Sequence, residues 1–118
     1  MEIFFVLRKI SAYQRKEFPS IISIQDFNLV TEIGLHQINS SPLSVKQLLL
    51  LRIAPTRTIL RRLQRLKTLG IVIHTTCAKD RRSRELTISP GALKKFEKFN
   101  QQLASYLKAK EYNDLRKI

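Results

Sequence analysis

Arg57, Arg61, Gln64 and Arg65 recur at three- and four-residue intervals, and each ends in a planar group that forms hydrogen bonds in parallel. At the 100° step of an α-helix, Arg57, Arg61, Gln64 and Thr68 fall on one arc, with Arg65 beside them. Such a row can read base edges in a major groove. A guanidinium fork matches O6 and N7 of guanine, and a Gln amide matches N6 and N7 of adenine. Thr56 and Thr58 stand at the start of the row, where hydroxyls and free helix amides can hold a phosphate. The opposite arc carries Ile59, Leu63 and Leu66, which must face a core. Leu60 projects to the flank, either as a core-margin residue, the favoured reading, or as an apolar contact to a thymine methyl. An ordinary solvated helix mixes acids and bases to gain i,i+4 pairs; this one has no acid from Thr56 to Leu69.

A second basic group follows. Lys79, Arg81, Arg82 and Arg84 stand around a single acid, Asp80. Long cations at a hairpin tip suit a minor groove, which is narrow and strongly negative over A·T-rich duplex. Asp80 is expected to pair with one of the loop arginines and orient it. From Arg52 to Arg84 there are ten Lys or Arg against that one acid, a net of +9 out of +13 for the whole chain. Charge so concentrated points to a polyanion, with double-stranded DNA as the expected partner.

These residues need elements to position them. Apolar spacing predicts a first helix over 2–18 and a second over 22–39 with Ser23 as its N-cap. On these, Ile3, Phe4, Leu7, Ile10 and Phe18, then Ile24, Phe27, Val30, Ile33 and Leu35, supply the apolar positions. Ser44-Val45-Lys46-Gln47 matches a capping box and opens a short helix to about Leu51. Arg52, Ile53 and Ala54 make a turn, Pro55 suits a first helical turn, and Gly70 stops the next helix. Ile71–Thr76 and Glu85–Ile88 read as strands. A last helix restarts at Ser89-Pro90, with Leu93, Phe96, Phe99, Leu103 and Leu107 on one side. The fold class expected is mostly α with a small β-hairpin: a winged helix-turn-helix flanked by N- and C-terminal helices. At 118 residues this is one domain, divided into N-terminal helices (1–40), helix-turn-helix and wing (43–89), and a C-terminal helix and tail (90–118).

The segment Thr58–Val72, TILRRLQRLKTLGIV, resembles the recognition helix and first wing strand of the MarR family of bacterial transcriptional regulators. DRRSRELTIS, Asp80–Ser89, resembles that family's wing and return strand, with Asp80 and Arg82 matching its Asp-x-Arg pattern. The resemblance covers about residues 43–91. It implies a homodimer on a pseudo-palindromic operator, joined through the N- and C-terminal helices, and repression relieved by a small-molecule effector or by oxidation.

Other residues carry less. Cys77 reads as a plain strand-end cysteine, and the absence of a second Cys excludes an internal disulfide and fits a reducing cytoplasm. His36 and His74 read as structural, and no cofactor or metal is expected. Tyr13 and Phe18 with Arg15 and Lys16 read as an amphipathic helix end. The run Ile3–Leu7 is too short for a membrane span and lacks the features of a signal peptide. No phosphate loop, nucleophile elbow or carboxylate pair marks an enzyme. The expected function is sequence-specific regulation of transcription. The alternative is a winged-helix module without operator specificity: architectural, replicative, RNA-binding or protein-binding.

Overall fold

A computed structural model describes residues 2–21, 23–76 and 84–116. The elements in order are α1 (Glu2–Glu17), α2 (Ile24–Ile38), α3 (Val45–Leu50), α4 (Thr56–Thr68), β1 (Val72–Thr76), β2 (Arg84–Ile88) and α5 (Pro90–Arg116). They form two compact units. One comprises Met1–Pro19 with Leu93–Ile118, and the other Ser20–Ala92.

The second unit is built from α2, α3, α4 and the antiparallel pair β1–β2, in which His74 faces Leu86. Ser23 caps α2 by accepting from the Asp26 amide. The capping box is complete at α3: Ser44 Oγ accepts from the Gln47 amide, and Gln47 Oε1 accepts from the Ser44 amide. Pro55 is the N-cap of α4 rather than its first helical residue, so this helix starts with no side-chain cap. Its other end is closed by Gly70 at φ 74°: the Ile71 amide donates to Leu66 O and the Gly70 amide to Lys67 O. Closing the helix this way uses Ile71 as a cap residue, and β1 starts one residue later than expected.

Ile59, Leu63 and Leu66 of α4 are buried, as the helical arc requires, and α4 packs on α2 and β1, in a core that also holds Leu29, Val30, Ile33, Leu48, Val72, Leu86 and Ile88. The face of α2 differs from its expected apolar set. Asp26, Leu29, Val30 and Ile33 form the buried stripe, whereas Ile24 and Leu35 lie roughly half a turn away and are exposed. The free edge of β2 is satisfied from two sides: the Leu86 amide donates to Leu43 O at 2.7 Å and the Ile88 amide to Gln37 Oε1 at 2.7 Å.

The first unit is an aromatic cluster. Tyr13 stacks on Phe99 with centroids 4.1 Å apart, and Phe18 on Phe96 at 4.5 Å. No residue of α1 is buried; Ile3, Phe4, Phe5 and Leu7 lie exposed, Phe4 at 67%. Beyond Leu107, the last apolar position expected, α5 continues as helix to Arg116, in keeping with the absence of Gly and Pro after Gly91.

Candidate nucleic-acid interface

The start of α4 follows α3 after five residues, and its geometry comes from an unusual turn. Arg52 ends α3 in the left-handed region, φ 53°, with its amide donating to Leu49 O. Without a Gly there, that conformation costs about 1–2 kcal/mol. Arg52 is exposed and borders a shallow depression with Pro55 and Thr56. The first amides of α4 have no side-chain acceptor, because Pro55 supplies none. Sequence reading missed Arg52, since only Gly or Asn would have signalled a positive φ.

Along α4, Arg57, Arg61 and Gln64 are exposed on one arc, Thr56 is exposed at its start, and Thr58 is half-buried. Thr68 is exposed, but its hydroxyl donates to Gln64 O. Leu60 is 44% exposed and stands outside the core, beside this arc.

Arg65 is placed differently from its neighbours. Its Nη1 donates to Asp26 Oδ2 at 3.0 Å, and Arg62 Nη1 lies 3.6 Å from the same oxygen. Asp26 is 0% exposed. Around the helix Arg65 sits about 80° from Arg57 and about 60° from Arg62, between the outward arc and the face toward α2. Asp26 draws it inward. One carboxylate thus holds two guanidiniums and fixes the rotation of α4 against α2. Asp26 was not foreseen, because a partner 39 residues away leaves no local signal.

Arg84 is exposed at the start of β2. Lys79, Arg81 and Arg82, with Asp80 and Cys77, lie outside the described residues. At the middle of β1, burial and then Lys67 and Arg84 push the His74 imidazole below its ordinary pKa. Burial and then Arg84 likewise push the Lys67 ammonium down. His74 Nε2 is enclosed without a hydrogen-bond partner among the described residues. Lys67, His74 and Arg84 therefore form a group of basic side chains, in which Arg84 lowers the proton affinity of the other two, where α4 runs beside the hairpin. Among the described residues, no three His, Cys, Asp or Glu gather as metal ligands, and no helix is long and apolar enough to cross a membrane.

No protein-family model and no curated protein matches this sequence. Solved structures match its fold. MepR of S. aureus bound to ethidium bromide superposes with a TM-score of 0.66 at 14% identity, over 97% of this chain and 84% of that one. A MepR–DNA complex from S. aureus gives 0.62 at 13%, over 98% and 93%. The transcriptional regulator Tm0710 from Thermotoga maritima gives 0.60 at 22%, over 97% and 80%. The chain has the winged-helix fold of MarR-family regulators. Within that MarR-type fold, Thr58–Val72 spans most of α4, its glycine stop and the first residue of β1, and α3–turn–α4 is the helix-turn-helix. At these identities the likeness is one of fold.

Proposed function

We propose that this protein is a non-enzymatic, sequence-specific regulator of transcription that lays α4 in the major groove of duplex DNA. The observation that carries this reading is the acid-free outward arc of Arg57, Arg61 and Gln64, exposed on a helix whose rotation is set by the Asp26–Arg65 pair. Arg61 and Gln64 are assigned to base edges, and Arg57 to a base or the adjacent phosphate. Thr56, Thr58 and Arg52 surround the uncapped start of α4 and are assigned to a phosphate. Arg84 and the loop cations Lys79, Arg81 and Arg82 are assigned to the flanking minor groove. The DNA complex of MepR, a protein of the same fold, supports this choice of partner.

The protein acts as a homodimer in this reading, and as a repressor by occluding its operator. The exposed apolar turn of Ile3, Phe4, Phe5 and Leu7, with Leu107 exposed on α5, supplies a surface that a second copy would bury. Half-sites would then repeat about 10 bp apart.

Selection of bound duplexes from a randomised pool tests the reading. A regulator enriches a two-fold symmetric motif and prefers it to random duplex by about 10³-fold or more at physiological salt. Tight binding without enrichment would instead mark an architectural module.

A further inference from the structure

The unit formed by α1 and α5 holds a pocket of about 340 Å³, within the size range of small-molecule sites. The stacked rings of Tyr13 and Phe99 line it. Four lysines border it: Lys9 and Lys16 from α1, and Lys95 and Lys98 from α5. Among the described residues Glu17 is the only acid in the lining, its Oε2 lying 4.0 Å from Lys95 Nζ, which leaves these lining residues with a net charge of +3.

That charge is not neutralised locally. No acid stands three or four residues from any of the four lysines, the spacing at which a helix would pair them. Lys95 and Lys98 are themselves at i,i+3, a repulsive placement on one helix face. Two of the ammoniums are braced by rings: Lys9 Nζ lies 4.3 Å from the Tyr106 centroid, and Lys95 Nζ lies 5.4 Å from that of Phe18. Lys16 and Lys98 are exposed and have no ion-pair partner among the described residues. The Tyr13 hydroxyl is enclosed without a hydrogen-bond partner among them. Burial and then Glu17 push its pKa up to about 12, so it stays a donor.

The clustering of positive charge narrows the ligand to a polyanion. Every basic residue of this lining is lysine, whereas the outward row of α4 uses arginine. Both cations bind phosphoryl oxygens, but lysine ammoniums are compact point charges that surround a multiply charged oxyanion without the bidentate geometry an arginine fork favours. We propose that this pocket binds a small polyphosphate or phosphate ester carrying at least two phosphoryl groups, held by Lys9, Lys16, Lys95 and Lys98, with its body against Phe99 and Leu103. The proposal stands apart from the duplex reading, which uses none of these residues.

Calorimetric titration of the full chain at physiological salt tests it, with inorganic tripolyphosphate, ADP and adenosine as probes. The expected result is saturable binding of tripolyphosphate, ADP or both, and none of adenosine. Equal affinities identify the phosphoryl chain as the ligand, and tighter ADP binding identifies a nucleotide held also by the apolar wall. Lys16→Gln with Lys98→Gln should weaken binding at least tenfold, and Lys16→Arg with Lys98→Arg should restore it to within about threefold. Arg57→Gln with Arg61→Gln should leave it unchanged. Retained affinity in the Lys→Gln variant, or an equal loss in the α4 variant, would overturn the proposal, because either marks diffuse attraction to a +13 protein. A melting curve for each unliganded variant separates loss of the site from loss of the fold.

Discussion

Arg65 donates from Nη1 to Asp26 Oδ2 across 3.0 Å, joining a basic helix to a carboxylate sealed inside the fold. This pair divides the arginines of α4 into two groups. Arg62 and Arg65 turn toward Asp26, while Arg57 and Arg61 remain exposed. Arg65→Gln should therefore destabilise the protein by ~1–3 kcal/mol, since it weakens the pairing of a buried charge. Arg61→Gln should change stability by no more than about 0.5 kcal/mol, as surface substitutions do. Urea denaturation of both variants checks this. Equal losses would mean that Arg61 also supports the fold.

Among the described residues, two that are not glycine sit in the left-handed region at helix ends, Ser40 at φ 60° and Arg52 at φ 53°. Ser40→Gly and Arg52→Gly should each gain ~0.5–1 kcal/mol, because relief of steric strain outweighs the extra entropy of the unfolded chain. Their effects on DNA should differ. Arg52→Gly should lower the slope of log K against log salt by about 1, the signature of one lost phosphate contact, whereas Ser40→Gly should leave it unchanged. Anisotropy titrations at several salt concentrations measure both slopes.

His74 makes stability depend on pH in a definite direction. Burial first, then Lys67 and Arg84, lower its pKa from 6.5. As pH falls through about 6.5, the unfolded chain takes up the proton before the folded one. Stability is therefore full above that value, declines as pH drops toward the folded pKa, and levels off below it. His74→Gln should remove this part of the decline. Denaturation midpoints compared between pH 7.5 and pH 5 report it, and an unchanged slope in the variant would contradict the assignment.

Phe4 is the most exposed aromatic on α1. Phe4→Glu should turn a dimer at tens of micromolar into a monomer, because it places a charge in the surface a second copy would cover. Sedimentation velocity on wild type and variant decides this. A monomeric wild type would remove the dimer and leave the duplex contact of a single α4 standing.

Much of this arrangement was legible from local pattern. The capping box at Ser44, the cap at Ser23, the stop at Gly70 and the buried arc of Ile59, Leu63 and Leu66 depend only on neighbours within about a turn, and each occurs where the pattern places it. Three features were not legible, for distinct reasons. The Asp26–Arg65 bond joins residues distant in sequence, and a helical wheel alone left Arg65 on the border of the outward arc. The fold of α3 into α4 imposes the left-handed turn at Arg52 on a residue type that does not announce it. The buried stripe of α2 runs through a charged residue, Asp26, so the apolar pattern pointed instead to Ile24 and Leu35 on the opposite side. The loop cations Lys79, Arg81 and Arg82 rest on pattern alone.

Arg61→Ala shows whether the outward arc of α4 distinguishes base pairs. Fluorescence anisotropy against the selected duplex and a scrambled one, at equal salt, should show a loss of ~1–3 kcal/mol on the selected duplex and a much smaller loss on the scrambled one. Equal losses on both duplexes would contradict base reading, because Arg61 would then be contributing charge without reading sequence.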